Sequence, residues 1–134
     1  QQQKDWWRNT KQRFLNCIKN TTLIKSQDVF TVLRYISFNS YGKTMAWDWV
    51  RLNWEYLVKR YTLNDRNLGR LISRISGTFN TELQLWQMEN FFERYPDAGA
   101  GEASRKQALE TTKSNIEWLK QYRDDIANWL ENAK

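Results

Sequence analysis

The chain has no histidine, one cysteine and one proline among its 134 residues. Without histidine it lacks the commonest general base, the commonest zinc ligand and every Ser–His or Cys–His nucleophile. Cys17 stands alone, so neither an internal disulfide nor a cysteine-rich metal cluster can form. No apolar run approaches the roughly 18 residues that a membrane-spanning helix needs. The opening stretch Gln1-Gln2-Gln3-Lys4-Asp5 has no initiating Met and no signal-peptide pattern. We read residues 1–134 as one helical domain, a piece of a longer chain.

Hydrophobic residues make up 40% of the sequence and aromatics 15%, with eight Trp. Rings in that number must be buried or lie at an interface, which excludes a disordered chain. The net charge of +6 raises the question of nucleic acid or an acidic substrate.

Helical periodicity runs from end to end. Lys4 to Lys19 can form a first helix with Trp7, Phe14 and Ile18 on one face. Ser26 is a candidate cap for Gln27 to Phe38, whose Val29, Leu33 and Ile36 line one side. Asn39 to Gly42 is expected to end that helix. Met45 to Tyr61 is expected as one helix with two apolar stripes: Ala46, Val50, Trp54, Leu57 and Tyr61, then Met45, Trp49, Leu52 and Tyr56. Such a helix is sandwiched between neighbours. Asn64 or Asp65 can cap a shorter helix that buries Leu68, Leu71, Ile72 and Ile75. Asn80 is expected to cap Thr81 to Tyr95, with Leu85, Met88, Phe92 and Tyr95 on one face. Pro96 and Asp97-Ala98-Gly99-Ala100-Gly101 make the clearest loop. Ser104 to Asn132 is a final helix, or two with a kink near Tyr122 to Asp124. Its buried stripe is Leu109, Thr112, Ile116, Leu119, Ile126 and Leu130. The fold class expected is all-α, a HEAT-like α-solenoid of antiparallel helix pairs.

No catalytic constellation emerges. Glu89 and Glu93 share a helix face and Asp124 and Asp125 are adjacent, but polar neighbours make them solvated faces rather than a carboxylate pair across a cleft. Gly99-Ala100-Gly101 lacks the preceding strand and the Lys of a phosphate-binding loop. Basic residues are dispersed and most Trp fall on apolar stripes, so base stacking is not expected. One cluster stands apart. Arg66, Arg70 and Arg74 are spaced i, i+4, i+8 along a helix face, either a solvated face or a site for a carboxylate or phosphate. Asn20-Thr21-Thr22 is an N-glycosylation sequon, with Asn20 as acceptor.

Several strings resemble the C-terminal domain of the gluzincin zinc aminopeptidases, most strongly the glutamyl aminopeptidase branch. They include Asn39-Ser40-Tyr41-Gly42-Lys43, Asn53-Trp54-Glu55-Tyr56-Leu57-Val58, Arg66-Asn67-Leu68-Gly69-Arg70, and Phe79 to Glu89. Ala98-Gly99-Ala100-Gly101-Glu102 and Asn115 to Gln121 continue the match, which runs from about Thr22 to near the C-terminus. Gln1 to Asn20 is not matched.

The resemblance implies a type II membrane ectoenzyme on the extracellular side of the plasma membrane. Its zinc is held by HExxH and a downstream Glu in an upstream domain, and a zinc-activated water removes N-terminal Glu or Asp. This chain would hold no cofactor and perform no catalysis. It would wall the substrate cavity of the same enzyme's catalytic domain, support folding and contribute to a homodimer. Arg66, with Arg70 second, would bind peptides with an acidic N-terminal residue. The competing reading is a free-standing helical-repeat interaction module or a basic nucleic-acid binder. The aminopeptidase reading expects no nucleic-acid partner.

Overall fold

The computed structural model describes residues 1–133, apart from the side chain of Trp7, so the placement expected for that ring lies outside the described residues. Among the described residues seven helices follow one another: α1 (Gln2–Cys17), α2 (Val29–Ile36), α3 (Ser40–Leu52), α4 (Trp54–Tyr61), α5 (Arg66–Ser76), α6 (Glu82–Arg94) and α7 (Glu102–Asn132). Short 3-10 turns occupy Ser26–Asp28 and Gly99–Gly101. No strand occurs among the described residues. The chain is all-helical, as its periodicity predicts.

α5 is the centre of the packing, touching α2, α3, α4, α7 and the Gly99–Gly101 turn. Its Leu68, Leu71, Ile72 and Ile75 are buried as the spacing predicts, and Asp65 caps it, its carboxylate accepting from Leu68 N–H at 2.8 Å. Val29, Leu33 and Ile36 of α2 are likewise buried. Around them lie Trp47 and Val50 from α3, Trp54 and Leu57 from α4, and Phe79, Met88 and Phe91. The rings of Phe79, Trp54 and Phe91 meet edge to face, Trp47 with Phe79 at 5.5 Å and Trp54 with Phe91 at 5.3 Å between centroids.

Several expectations need correction. Residues 45–61 do not form one helix. The chain breaks at Asn53, whose side-chain amide donates to Trp49 O at 2.8 Å while its backbone leaves helical geometry. Local side-chain bonding competes with the helix ladder there. The break turns Trp54 and Leu57 into the core and strands Leu52 in solvent. Asn39 starts a helix, accepting from Gly42 N–H at 2.9 Å, rather than only ending one. Ser26 caps nothing; its hydroxyl accepts from Arg60. Thr81, not Asn80, caps α6 through a reciprocal capping box with Gln84. Phe14 is exposed, and Leu15 and Ile18 carry the buried side of α1.

α7 is one unbroken helix from Glu102 to Asn132 rather than two. Its stripe is buried at Thr112 and Ile116, but the helix then overruns the body. All of residues 121–133 are exposed, Ile126 and Leu130 among them. The tryptophans also depart from expectation. Trp47 and Trp54 are buried, whereas Trp6, Trp86, Trp118 and Trp129 are each more than half exposed.

Candidate functional site at the start of α5

Arg66 is the first residue of α5, and Arg70 and Arg74 follow on the same exposed face. Among the described residues none of the three enters a salt bridge or donates a side-chain hydrogen bond. Three cations are thus held along one helix with their donors turned to solvent. Arg74 lies in the last turn, where a cation complements the helix dipole. Arg66 lies at the opposite end, where a cation opposes it. Helix stability therefore accounts for Arg74 and not for Arg66.

The surroundings of Arg66 are fixed from outside the helix. Thr62 has φ 70°, in the left-handed region that a β-branched residue rarely adopts. The next residue, Leu63, accepts from Ala100 N–H at 3.0 Å. Gly99 has φ 50°, and a Cβ on it would overlap the Leu63 carbonyl. On the other side of Arg66, a Cβ on Gly69 would stand 3.0 Å from the backbone of Ala100 and Gly101. The Gly99–Gly101 turn therefore grips α5 both before and after Arg66.

Arg105, in the first turns of α7, holds that turn in place. It is only 7% exposed. Its guanidinium donates to the carbonyls of Tyr95 and Asp97 and lies over the ring of Phe92 at 4.8 Å, with Trp54 at 5.7 Å. Burial pushes its pKa below the usual arginine value, and the Asp97 carboxylate pulls it back up. Sequence reasoning missed Arg105 because an isolated Arg is ordinarily a surface residue. A signal was present: it is a cation near a helix N-terminus, directly after the loop with the most glycine.

The other polar candidates lie at the surface or bond within their own turns. Glu89 pairs with Lys113 at 3.6 Å at the surface, and Asp124 and Asp125 are solvated. Thr112 and Ser37 donate to carbonyls within their own helical turns, at 2.8 and 2.7 Å. Asn20 sits in an exposed turn, its side-chain oxygen accepting from the N–H and hydroxyl of Thr22 at 3.0 and 2.6 Å. No group of three or more His, Cys, Asp or Glu that could hold a metal occurs among the described residues. No described helix is long and apolar enough to cross a membrane.

The family model for the ERAP1-like C-terminal domain matches residues 8–114. The match includes much of the N-terminal stretch that the resemblance alone left outside. A protein named aminopeptidase A from Gloydius brevicauda is 96% identical over 122 residues, 91% of this chain and 13% of that protein. The glutamyl aminopeptidase of Homo sapiens is 67% identical over 120 residues, 90% of this chain and 12% of that protein. Aminopeptidase N of Bos taurus is 36% identical over 122 residues, 90% and 13% respectively. The chain thus spans about an eighth of the length of these relatives. It belongs to the ERAP1-like C-terminal domain family, on the side of the glutamyl aminopeptidases.

Proposed function

We propose that this chain is the non-catalytic helical domain of a zinc aminopeptidase that removes Glu or Asp from peptide N-termini, and that Arg66 binds the acidic residue. The observation that carries the reading is the solvent-facing, unpaired Arg66 at a helix start, in a chain so similar to proteins named glutamyl aminopeptidase. Its guanidinium is free to form a charge-assisted, bidentate pair with a carboxylate, which strengthens as water is excluded. Arg70, one turn on, is the second contact. Neither performs chemistry; they supply affinity and orientation.

Zinc belongs elsewhere in the parent, because the donor set here does not fit it. With no histidine and a single cysteine, this chain cannot assemble the usual nitrogen and sulfur ligands. The helices are read as a HEAT-like solenoid segment that walls the substrate cavity, with α5 facing the catalytic domain. The exposed Trp86, Trp118 and Trp129 are then surfaces for the rest of the parent and for a second copy in a dimer. In the cell-surface setting of this reading, Asn20 is accessible for a glycan.

The deciding measurement is kcat/KM of the full-length enzyme and its Arg66→Ala variant on substrates with N-terminal Glu and N-terminal Ala. A selective loss on the Glu substrate is expected. Equal effects on both would overturn the assignment.

A further inference from the structure

We propose that Arg105 is a positioning residue for acidic-substrate selectivity, acting through the Gly99–Gly101 turn on the first turn of α5. The proposal rests on the reading of Arg66 given above. Arg105 itself does not touch substrate: it is buried behind α5, under Trp54 and Phe92.

Apolar filling does not explain an arginine at this position. The aromatic floor of Trp54, Phe91 and Phe92 would accept a Met or Leu without the cost of desolvating a charge. No carboxylate pairs with Arg105 among the described residues. What the guanidinium offers instead is a rigid planar fork, and its two terminal nitrogens go to the carbonyls of Tyr95 and Asp97. The Tyr95 carbonyl is thereby fixed, and the Asp97 carbonyl, at 3.5 Å, is engaged by the same fork more weakly.

The consequence passes along the chain. Asp97, whose carbonyl is held, accepts with its carboxylate from Gly99 N–H at 3.1 Å, which sets the start of the turn. The turn in turn meets α5 at two places. Ala100 donates to Leu63, three residues before Arg66, and Gly101 lies against Gly69, three residues after it. The backbones at Gly69 and Gly101 approach so closely that a Cβ on either glycine would stand 3.0 Å from the other's backbone. Thr62 keeps its left-handed backbone in this same stretch. A residue in such a conformation persists only where neighbouring contacts over-determine it. The Ala100–Leu63 bond is such a contact. With it loosened, the 62–65 turn is free to relax, and Arg66 moves with the turn.

The test uses the full-length enzyme, with kcat and KM measured on substrates bearing N-terminal Glu and N-terminal Ala. Four variants are compared: Arg66→Ala, Arg105→Met, Arg105→Lys and Gly69→Ala. Arg105→Met fills the same apolar space without bonding the carbonyls. We expect it to lower the Glu-to-Ala ratio of kcat/KM by about tenfold, within the ~100-fold that an ångström-scale misplacement can cost, mainly through KM for the Glu substrate. Arg105→Lys should restore part of the ratio, since an ammonium can reach one carbonyl but not span both. Gly69→Ala, which pushes the turn away from α5, should lower the ratio in the same direction. If Arg66→Ala is selective while Arg105→Met and Gly69→Ala reduce both substrates alike or neither, the positioning role is overturned and the Arg66 reading stands. If Arg66→Ala is itself unselective, both fall. Should Arg105→Met fail to fold, Arg105→Lys and Gly69→Ala carry the decision.

Discussion

Trp54→Ala tests whether the break at Asn53 orients α4 as described. Trp54 is 4% exposed, and its ring meets Phe91 edge to face at 5.3 Å and lies beneath the Arg105 guanidinium at 5.7 Å. A tryptophan removes about 150–250 Å² from water, worth about 4–6 kcal/mol at ~25 cal/mol per Å². The alanine keeps a little of this, the unfolded chain already hides some, and the cavity left behind adds a cost. The expected loss is therefore about 3–5 kcal/mol. Loss of the contact to Arg105 pushes toward the upper end, because the buried cation then faces a void. Urea unfolding followed by far-UV circular dichroism measures the loss, with Trp86→Ala as the paired control. Trp86 is 60% exposed, so its removal should change stability by no more than about 0.5 kcal/mol. Equal, small effects from the two substitutions would refute the orientation of α4.

Two further predictions follow from local geometry. Thr81→Ala removes one half of the α6 capping box and should cost about 1 kcal/mol in the same unfolding assay, with Thr81→Ser close to wild type. Burial raises the Tyr61 phenol pKa above its ordinary value of 10.0, against the lowering influence of Arg60 and of the hydrogen bond to Ser26. The folded state thus favours the protonated phenol. Its stability contribution is complete below pH 10.0 and is lost as pH rises through the folded value. The difference in urea midpoint between wild type and Tyr61→Phe should therefore shrink or reverse on moving from neutral to strongly alkaline solution, and a constant difference would count against the shift.

Where the sequence was informative, the information was local and periodic. A cap at Asn64 or Asp65, the buried face of α5 and the Val29, Leu33, Ile36 face of α2 follow from local sequence alone, because both the signal and its cause lie within one helix. The break at Asn53 was hidden because the apolar period carries straight through it; it is marked only by the non-helical Asn53 backbone and its side-chain bond to Trp49. Phe91 was overlooked on α6 because the stripe of Leu85, Met88, Phe92 and Tyr95 seemed complete without it, and α4 decides which ring turns inward. The exposed tryptophans are a different case. Hydrophobicity says that a ring seeks cover, but not whether this domain supplies the cover. At the candidate site, the spacing of Arg66, Arg70 and Arg74 was legible in the sequence, and the role given to Arg66 came from the resemblance. The grip on Arg66 was not legible, since that depends on backbones meeting 30 or more residues apart.

The far half of α7 has a mechanical meaning. Its first half is clamped against α5 and α6, while residues 121–133 are all exposed and act like a cantilever. At 1.5 Å per residue that free arm is about 20 Å long, so a tilt of about 10° at the clamp moves its tip by about 3.5 Å. Arg105 and the Gly99–Gly101 turn lie at the root of the beam. A body resting on Trp129 would therefore feel, magnified, any shift in the seating of α7 on α5.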